Sequence, residues 1–171
     1  MFGALARSVQ MAAALRRCRD LTVTYARQRR QFGRALADLP VIQQELAALA
    51  GEAAAAGAAA GAAVRETVEQ AAGGRGDWRT GPAARAVAAA KARAGLAATA
   101  GATSAHQIHG AIGITREYEL HAHTRSLWAW RDEYGAERAW TRRLGEAVSA
   151  APGGLGAGLV PASGSDTASS D

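Results

Sequence analysis

The stretch LAALAGEAAAAGAAAGAAV, from Leu46 to Val64, decides which class of fold this sequence can adopt. It consists mostly of alanine and glycine, and its one charged residue is Glu52. Alanine is the strongest helix former, and the stretch is long enough to cross a membrane in principle. However, a glutamate near the middle of a span costs about 2.5–3.5 kcal/mol, and alanine and glycine contribute little transfer energy. We therefore interpret the stretch as a buried helix of a water-soluble bundle, with no membrane as partner.

Outward from this stretch, apolar residues recur at steps of three and four, which is typical of amphipathic helices. The second helix is predicted from Pro40 to about Ala72. A first helix is predicted from about Ala4 to Arg30, where the stripe is Met11, Leu15, Cys18, Thr22 and Tyr25. Three further helices are expected over about 82–107, 117–134 and 136–148.

Residues that favour helix ends flank several of these segments. Pro40 and Pro82 suit the first turn of a helix, where the missing N–H is not needed. Thr80 is a candidate N-cap for the third helix. Gly33 lies where the first helix would end, and glycine is favoured there because it tolerates positive φ.

The composition agrees with an all-α fold. The chain has 171 residues, which fits one domain; 49% are hydrophobic, but only 5% are aromatic. Long helices with short connections predict an antiparallel four-helix bundle, or five helices if the last short one is counted. We assign residues 1–149 to this bundle. The Gly/Ser/Pro-rich segment 150–171 has no periodicity and is expected to be a disordered tail.

Charge and cysteine content suggest the surroundings of the chain. The net charge is +5, but Lys91 is the single lysine and the arginines are spread along the sequence, so we expect no nucleic-acid partner. Cys18 is the lone cysteine, so no intrachain disulfide can form. No basic-then-apolar leader opens the sequence, and we expect a cytoplasmic location.

Two segments have the residue types of a phosphate-binding surface. The first is Tyr25-x-x-x-Arg29-x-Gln31-Phe32-Gly33, in which an arginine at a helix end can direct its guanidinium at a phosphate beside a planar ring. The second is Gln107-Ile108-His109-Gly110-Ala111-Ile112-Gly113, whose glycines allow close backbone approach. Taken alone, each also fits an ordinary helix end or interhelix turn.

Other polar residues have alternative interpretations. His106 and His109 are three apart and share a helix face, but no acidic or cysteine partner has metal-ligand spacing, so no metal site is predicted. Trp128 and Trp130 are two apart and point in different directions, so one is expected in the core and the other at an interface. Glu133 is a weak candidate for a catalytic base, because carboxylates on helix surfaces are far commoner than catalytic ones.

Taken together, the motifs resemble the C-terminal domain of acyl-CoA dehydrogenases. In order and spacing, the resemblance covers about residues 4–148 and rests on the two segments above together with Pro40-x-Ile42-Gln43, Lys91, Gly113-Ile114-x-x-Glu117-Tyr118 and Arg125. It implies a C-terminal helical bundle that, in the family, follows an N-terminal helical domain and a middle β domain. It also implies FAD as cofactor and an acyl-CoA thioester as substrate.

The resemblance also implies roles for particular residues. The arginine that matches Arg29 reaches the FAD pyrophosphate of a neighbouring subunit, and the aromatic residue that matches Phe32 packs beside the cofactor. The turn that matches Gln107 to Ala111 lies along the FAD phosphates, with Ala111 in place of the usual second glycine. We therefore expect the following cofactor-binding residues: Arg29, Gln31, Phe32, Gln107, Gly110 and Ala111.

The sequence departs from the family at the catalytic base. The family's glutamate would fall at Tyr134, and Glu133 is one residue out of register, which rotates it by about 100° on a helix. Some members carry the base near the start of the first helix, but the matching stretch around Gly3 has no carboxylate. Similar variants resemble subunits that pair with a catalytically equipped subunit. We expect a homo- or hetero-oligomer with an acyl-CoA dehydrogenase subunit, and the alternative is a non-catalytic helical partner that stabilises such a subunit.

Overall fold

The computed structural model describes residues 1–31, 33–74 and 76–150 of the chain. Within these residues it has five α-helices, one two-stranded antiparallel hairpin and two short 3-10 turns. The helices are α1 (Phe2–Gln28), α2 (Pro40–Ala72), α3 (Pro82–His109), α4 (Leu120–Asp132) and α5 (Glu137–Ser149). The hairpin pairs β1 (Arg30–Gln31) with β2 (Arg34–Ala35), and the 3-10 turns are Leu36–Asp38 and Gly110–Ile114.

The predicted all-α bundle is confirmed. The long helices α1, α2 and α3 pack against one another, α4 packs on α1 and α3, and α5 packs on α3. Two contacts fix α2 and α3 as antiparallel neighbours: Glu45 accepts a hydrogen bond from Ser104 at 2.6 Å, and Glu52 forms an ion pair with Arg93.

Small residues let the three long helices approach closely. Leu15 of α1 and Leu49 of α2 are fully buried and meet over Gly101 of α3. A Cβ at Gly101 would lie 2.7 Å from Leu15 Cδ2, which is too close for any side chain. The core therefore contains a few large residues seated on alanine and glycine, and it is packed too densely at this point to accept an extra methyl group.

Only one face of α2 is buried. The inner face includes Leu49, Ala53, Ala56 and Ala60. The outer face is exposed, so the expectation of a buried helix was wrong for that face. The exposed small residues are Ala47, Ala48, Gly51, Ala54, Ala55 and Ala58. Within the described residues, α2 is the one helix long and apolar enough to cross a membrane, but 28% of its apolar window is buried, and Glu45 and Glu52 of the helix contact α3. Length and composition alone are weak evidence for a span.

Several predicted boundaries need correction. Helix α1 ends at Gln28 because the chain turns into the hairpin, so Gly33, with φ of 79°, serves the hairpin turn and not a helix cap. Thr80 does not cap α3, because its hydroxyl donates to Asp77 and the N-cap is Gly81. Helix α4 begins at Leu120, since the 3-10 turn and the bend after it extend beyond Glu117. Apart from Ala150, the predicted tail lies outside the described residues.

Candidate functional site

Arg29 lies where α1 passes into the hairpin. Its backbone N–H donates to the Tyr25 carbonyl at 2.8 Å, and its own carbonyl accepts the N–H of Leu36 at 2.9 Å. Its φ and ψ of −74° and 122° are extended, so the residue leaves the helix and enters the hairpin. The backbone of Arg29 is therefore fixed on both sides, and the side chain projects from a defined point.

The second predicted segment, Gln107 to Gly113, turns at the C-terminal end of α3. Gly110 is the C-cap of α3 and donates its N–H to the His106 carbonyl. Its φ of 61° with ψ of −143° is a conformation that side chains other than glycine rarely adopt. The chain turns sharply here into the 3-10 turn, which leaves Gly110 and Ala111 exposed.

The structure brings these two segments to the same end of the bundle. The Tyr25 ring stacks on the His109 ring with centroids 4.4 Å apart and planes inclined by 21°. Beneath them, Ala26, Leu36 and Ile108 form a small buried cluster. We refer to the surface formed by Arg29, Gln31, Gln107, Gly110 and Ala111 as the Arg29 surface.

All five residues of the Arg29 surface are exposed. Within the described part of the chain, Arg29 forms no ion pair and no side-chain hydrogen bond. A guanidinium without a partner among the described residues, two amide side chains and an open glycine turn could together bind an anion such as a phosphate. Phe32, the remaining predicted cofactor-binding residue, lies outside the described residues.

The two histidines near this surface are packed inside the bundle. His109 is 4% exposed and its Nδ1 lies 2.8 Å from the Ala105 carbonyl, while His106 Nε2 lies 2.9 Å from the Thr124 hydroxyl. Burial lowers the pKa of both imidazoles, and in His109 the hydrogen bond to Ala105 partly opposes that effect. The described residues contain no group of three or more potential ligands that could hold a metal ion.

The predicted base position lies at the opposite end of the bundle, in the turn between α4 and α5. Tyr134 has φ of 58° and is the one residue other than glycine with positive φ in the described chain. That conformation costs about 1–3 kcal/mol, so the surrounding contacts must hold it in place. Two buried side chains do this: Lys91 Nζ donates to the carbonyls of Trp130, Arg131 and Gly135 at 2.6–3.3 Å, and Trp140 Nε1 donates to those of Tyr134 and Gly135 at 3.1–3.2 Å.

The ring of Tyr134 lies directly over Gly3 of α1. A Cβ at Gly3 would be 2.4 Å from Tyr134 Cε1 and 2.6 Å from Cζ. The other side of the tyrosine faces outward, since the residue is 62% exposed. The two positions at which the resemblance places a base are therefore in contact, and neither holds a carboxylate.

Glu133 also contacts α1, through an ion pair with Arg7. Its Oε2 lies 2.5 Å from Arg7 Nε, and the Arg7 guanidinium lies over the Trp130 ring at 5.2 Å. Arg7 also donates to Gln10 at 2.6 Å. The ion pair engages this carboxylate within the chain, which makes Glu133 a poor candidate for the general base. We refer to Gly3, Arg7, Glu133, Tyr134 and Gly135 as the Tyr134 turn.

Sequence reasoning missed the side chains that hold the Tyr134 turn. Lys91 was noted as the single lysine and for the resemblance, but not as a buried donor, although it follows Val87 and precedes Ala94 on the apolar stripe of α3, where a lysine needs acceptors. Nothing in the sequence linked Arg7 to Glu133, 126 residues away. One half of the tryptophan prediction is confirmed, because Trp130 packs against the main core. Trp128 is 47% exposed, and its place at an interface stays a prediction.

A comparison of the whole chain with known families agrees with this arrangement. The profile of the acyl-CoA dehydrogenase C-terminal domain matches residues 1–144. The chain belongs to this family. The match includes both the Arg29 surface and the Tyr134 turn.

Individual relatives are considerably longer. Acyl-CoA dehydrogenase IpdE2 of Mycolicibacterium smegmatis is 28% identical over 141 residues, which is 82% of this chain and 40% of that protein. A chain of the ChsE4-ChsE5 complex from Mycobacterium tuberculosis superposes with a TM-score of 0.78 at 23% identity, over 88% of this chain and 38% of that one. A probable acyl-CoA dehydrogenase from Mycobacterium abscessus gives a TM-score of 0.72 at 26% identity, over 84% and 35%. This chain therefore spans about two fifths of the length of these relatives.

Proposed function

We propose that this chain is the FAD-binding C-terminal bundle of an acyl-CoA dehydrogenase assembly, which catalyses α,β-dehydrogenation of an acyl-CoA thioester. The observation that carries the proposal is the Arg29 surface. A free guanidinium, two amide side chains and a left-handed glycine turn lie together at one end of a bundle from this family.

The residues present fit the diphosphate part of the cofactor. Arg29 would contribute charge-assisted hydrogen bonds, and Gln31 and Gln107 would contribute neutral ones. The turn at Gly110 lets the backbone approach an anion, with the Ala111 methyl at the position where the family has its second glycine. When bound, the flavin supplies the hydride acceptor of the reaction.

The proposed activity requires other domains or another chain. Apart from the hairpin, the described residues form no sheet that could enclose an isoalloxazine ring. Cofactor sites usually bury most of the ligand surface, and the Arg29 surface is open. Because the longer relatives include one half of a two-protein complex, we propose an acyl-CoA dehydrogenase subunit as the partner, in a homo- or hetero-oligomer.

A second candidate function is that of a non-catalytic bundle that stabilises such a subunit. The Tyr134 turn favours it, because Tyr134 covers Gly3 and Glu133 is held by Arg7. The two candidates differ in one respect: the first requires that Arg29 contact the cofactor, and the second does not.

The proposal is tested by flavin content after purification. We expect the chain alone to carry less than a tenth of an equivalent of FAD, and a complex with a co-expressed acyl-CoA dehydrogenase subunit to carry a stoichiometric amount. Replacement of Arg29 by alanine in the complex should release flavin if the first candidate is correct and should leave it unchanged if the second is correct. A yellow, stoichiometric flavoprotein obtained from the chain alone would contradict the proposal.

A further inference from the structure

His109 belongs to the second of the two segments that form the Arg29 surface, and its side chain contacts the first. It immediately precedes Gly110, and its ring stacks on Tyr25, whose carbonyl holds the backbone of Arg29. Its other neighbour is the Tyr118 ring, at 5.0 Å between centroids. One imidazole therefore contacts both the end of α1 and the turn at the end of α3.

The ring of His109 is fixed on every side that the structure describes. Nδ1 is hydrogen-bonded to the Ala105 carbonyl, the residue is 4% exposed, and a Cβ at Gly113 would be 2.8 Å from His109 Cβ. Nε2, by contrast, is buried and has no hydrogen-bond partner among the described residues. A buried nitrogen without a partner is unfavourable, so the packing of the ring, and not its second nitrogen, accounts for its place here.

We infer that His109 is a positioning residue that couples the hairpin at Arg29 to the turn at Gly110, so that the two halves of the Arg29 surface are ordered together. The inference rests on the proposed function in one respect, namely that this surface binds the cofactor phosphates. The coupling itself is a property of the free chain.

Two backbone amides, which are far apart in the sequence, can report on this coupling. The N–H of Leu36 is bonded to the Arg29 carbonyl, and the N–H of Gly110 is bonded to the His106 carbonyl. If the ring stack joins the segments, its loss should speed hydrogen exchange at both amides. A purely local effect would reach Gly110 alone.

The experiment measures hydrogen exchange at these two amides by NMR in the free chain. His109→Ala should raise both exchange rates by about tenfold or more, because an aromatic stack and its buried area are lost. His109→Phe keeps a planar ring and removes the unpaired nitrogen, so both rates should stay within about threefold of the wild type. Val87→Ala is the matched control, since Val87 is fully buried in the cluster near Trp140 at the other end, and it should leave both rates nearly unchanged.

Three results would overturn the inference: a rise at Gly110 without a rise at Leu36, a phenylalanine variant that behaves like the alanine variant, or an equal rise in Val87→Ala. FAD retention by the co-expressed complex separates this inference from the proposed function. If the wild-type complex holds no FAD but both amides respond to His109→Ala, the proposed function fails and the coupling stands. If FAD is bound and the amides respond independently, the coupling fails and the proposed function stands.

Discussion

Helix α1 carries one part of each candidate site, and the two parts differ in how their polar groups are used. Arg29 and the hairpin lie at its C-terminal end, and Gly3 and Arg7 lie at its N-terminal end, about 40 Å away at 1.5 Å per residue. At the Arg29 surface the polar side chains are exposed and available to a ligand. At the Tyr134 turn they are paired or packed within the chain. Under the proposed function, the bundle would bind the cofactor phosphates without removing the substrate proton.

The largest effect is expected from the residue that holds the Tyr134 turn. Lys91→Met would remove the side-chain donor from the Trp130 and Arg131 carbonyls, whereas the Gly135 carbonyl keeps its bond from Trp140. At about 1–3 kcal/mol for each unsatisfied group, we expect a loss of about 3 kcal/mol. For a chain of this size that lowers the thermal midpoint by roughly 6–12 °C. Arg125→Met removes an exposed cation from α4 and should change stability by less than about 0.5 kcal/mol. Equal midpoints for the two variants would show that Lys91 does not fix the turn.

The next effect concerns the Arg29 surface and requires the complex. Arg29→Ala should weaken FAD retention by about 10–100-fold, because charge-assisted hydrogen bonds to a diphosphate are worth ~1.5–3 kcal/mol each when well placed. Arg27→Ala, a change to an exposed arginine in the last turn of α1, is the matched control and should alter retention less than about threefold. The measurement is the dissociation constant of FAD from the apo-complex. A similar loss in both variants would mean that general positive charge, and not a placed guanidinium, binds the cofactor.

The packing of Tyr134 on Gly3 predicts a smaller effect on stability, and the sign of that effect should change when the tyrosine is removed. Gly3→Ala should destabilise the free chain by about 1 kcal/mol, since the new methyl group must displace the tyrosine ring. In a Tyr134→Ala background the space is open, and the same change should stabilise the chain by up to about 1 kcal/mol through helix propensity. Chemical denaturation of the four proteins in this cycle gives the coupling directly. If Gly3→Ala has the same sign in both backgrounds, the ring does not occupy that space in solution.

A pH effect is expected from the histidines beneath the Arg29 surface. Burial lowers the pKa of His106 and His109, so the unfolded chain binds more protons than the folded one below the ordinary histidine value of about 6.5. Stability should be constant above about pH 7 and should fall as the pH drops below 6.5. The measurement is the free energy of unfolding, obtained from urea titrations at several pH values between 5 and 8. His109→Phe should make this free energy depend less steeply on pH below 6.5. A slope that is unchanged in that variant would exclude a contribution from His109.

The sequence predicted the bundle more completely than the site, and particular residues explain why. Helical periodicity and proline positions located α2 and α3 because they reflect local physics. Motifs indicated the Arg29 surface, because Arg29 and Gly110 each act where a helix ends. The Tyr134 turn was not predictable, since it depends on contacts of Lys91, Arg7 and Trp140 with residues that become neighbours only after folding. The exposed half of α2 was missed because alanine gives no periodic signal that distinguishes an inner face from an outer one.

The most direct test of the separation between the two regions is Glu133→Gln in the reconstituted complex. Flavin content and ferricenium-coupled oxidation of acyl-CoA are measured side by side with the wild type. Removal of a true general base ordinarily costs about 10²–10⁴ in rate, whereas loss of the Glu133–Arg7 ion pair should leave turnover within roughly threefold. We predict full flavin content and nearly unchanged turnover, with the working carboxylate on the partner subunit. A complex that keeps its flavin but loses about three decades of rate would contradict this account and would identify Glu133 as the base.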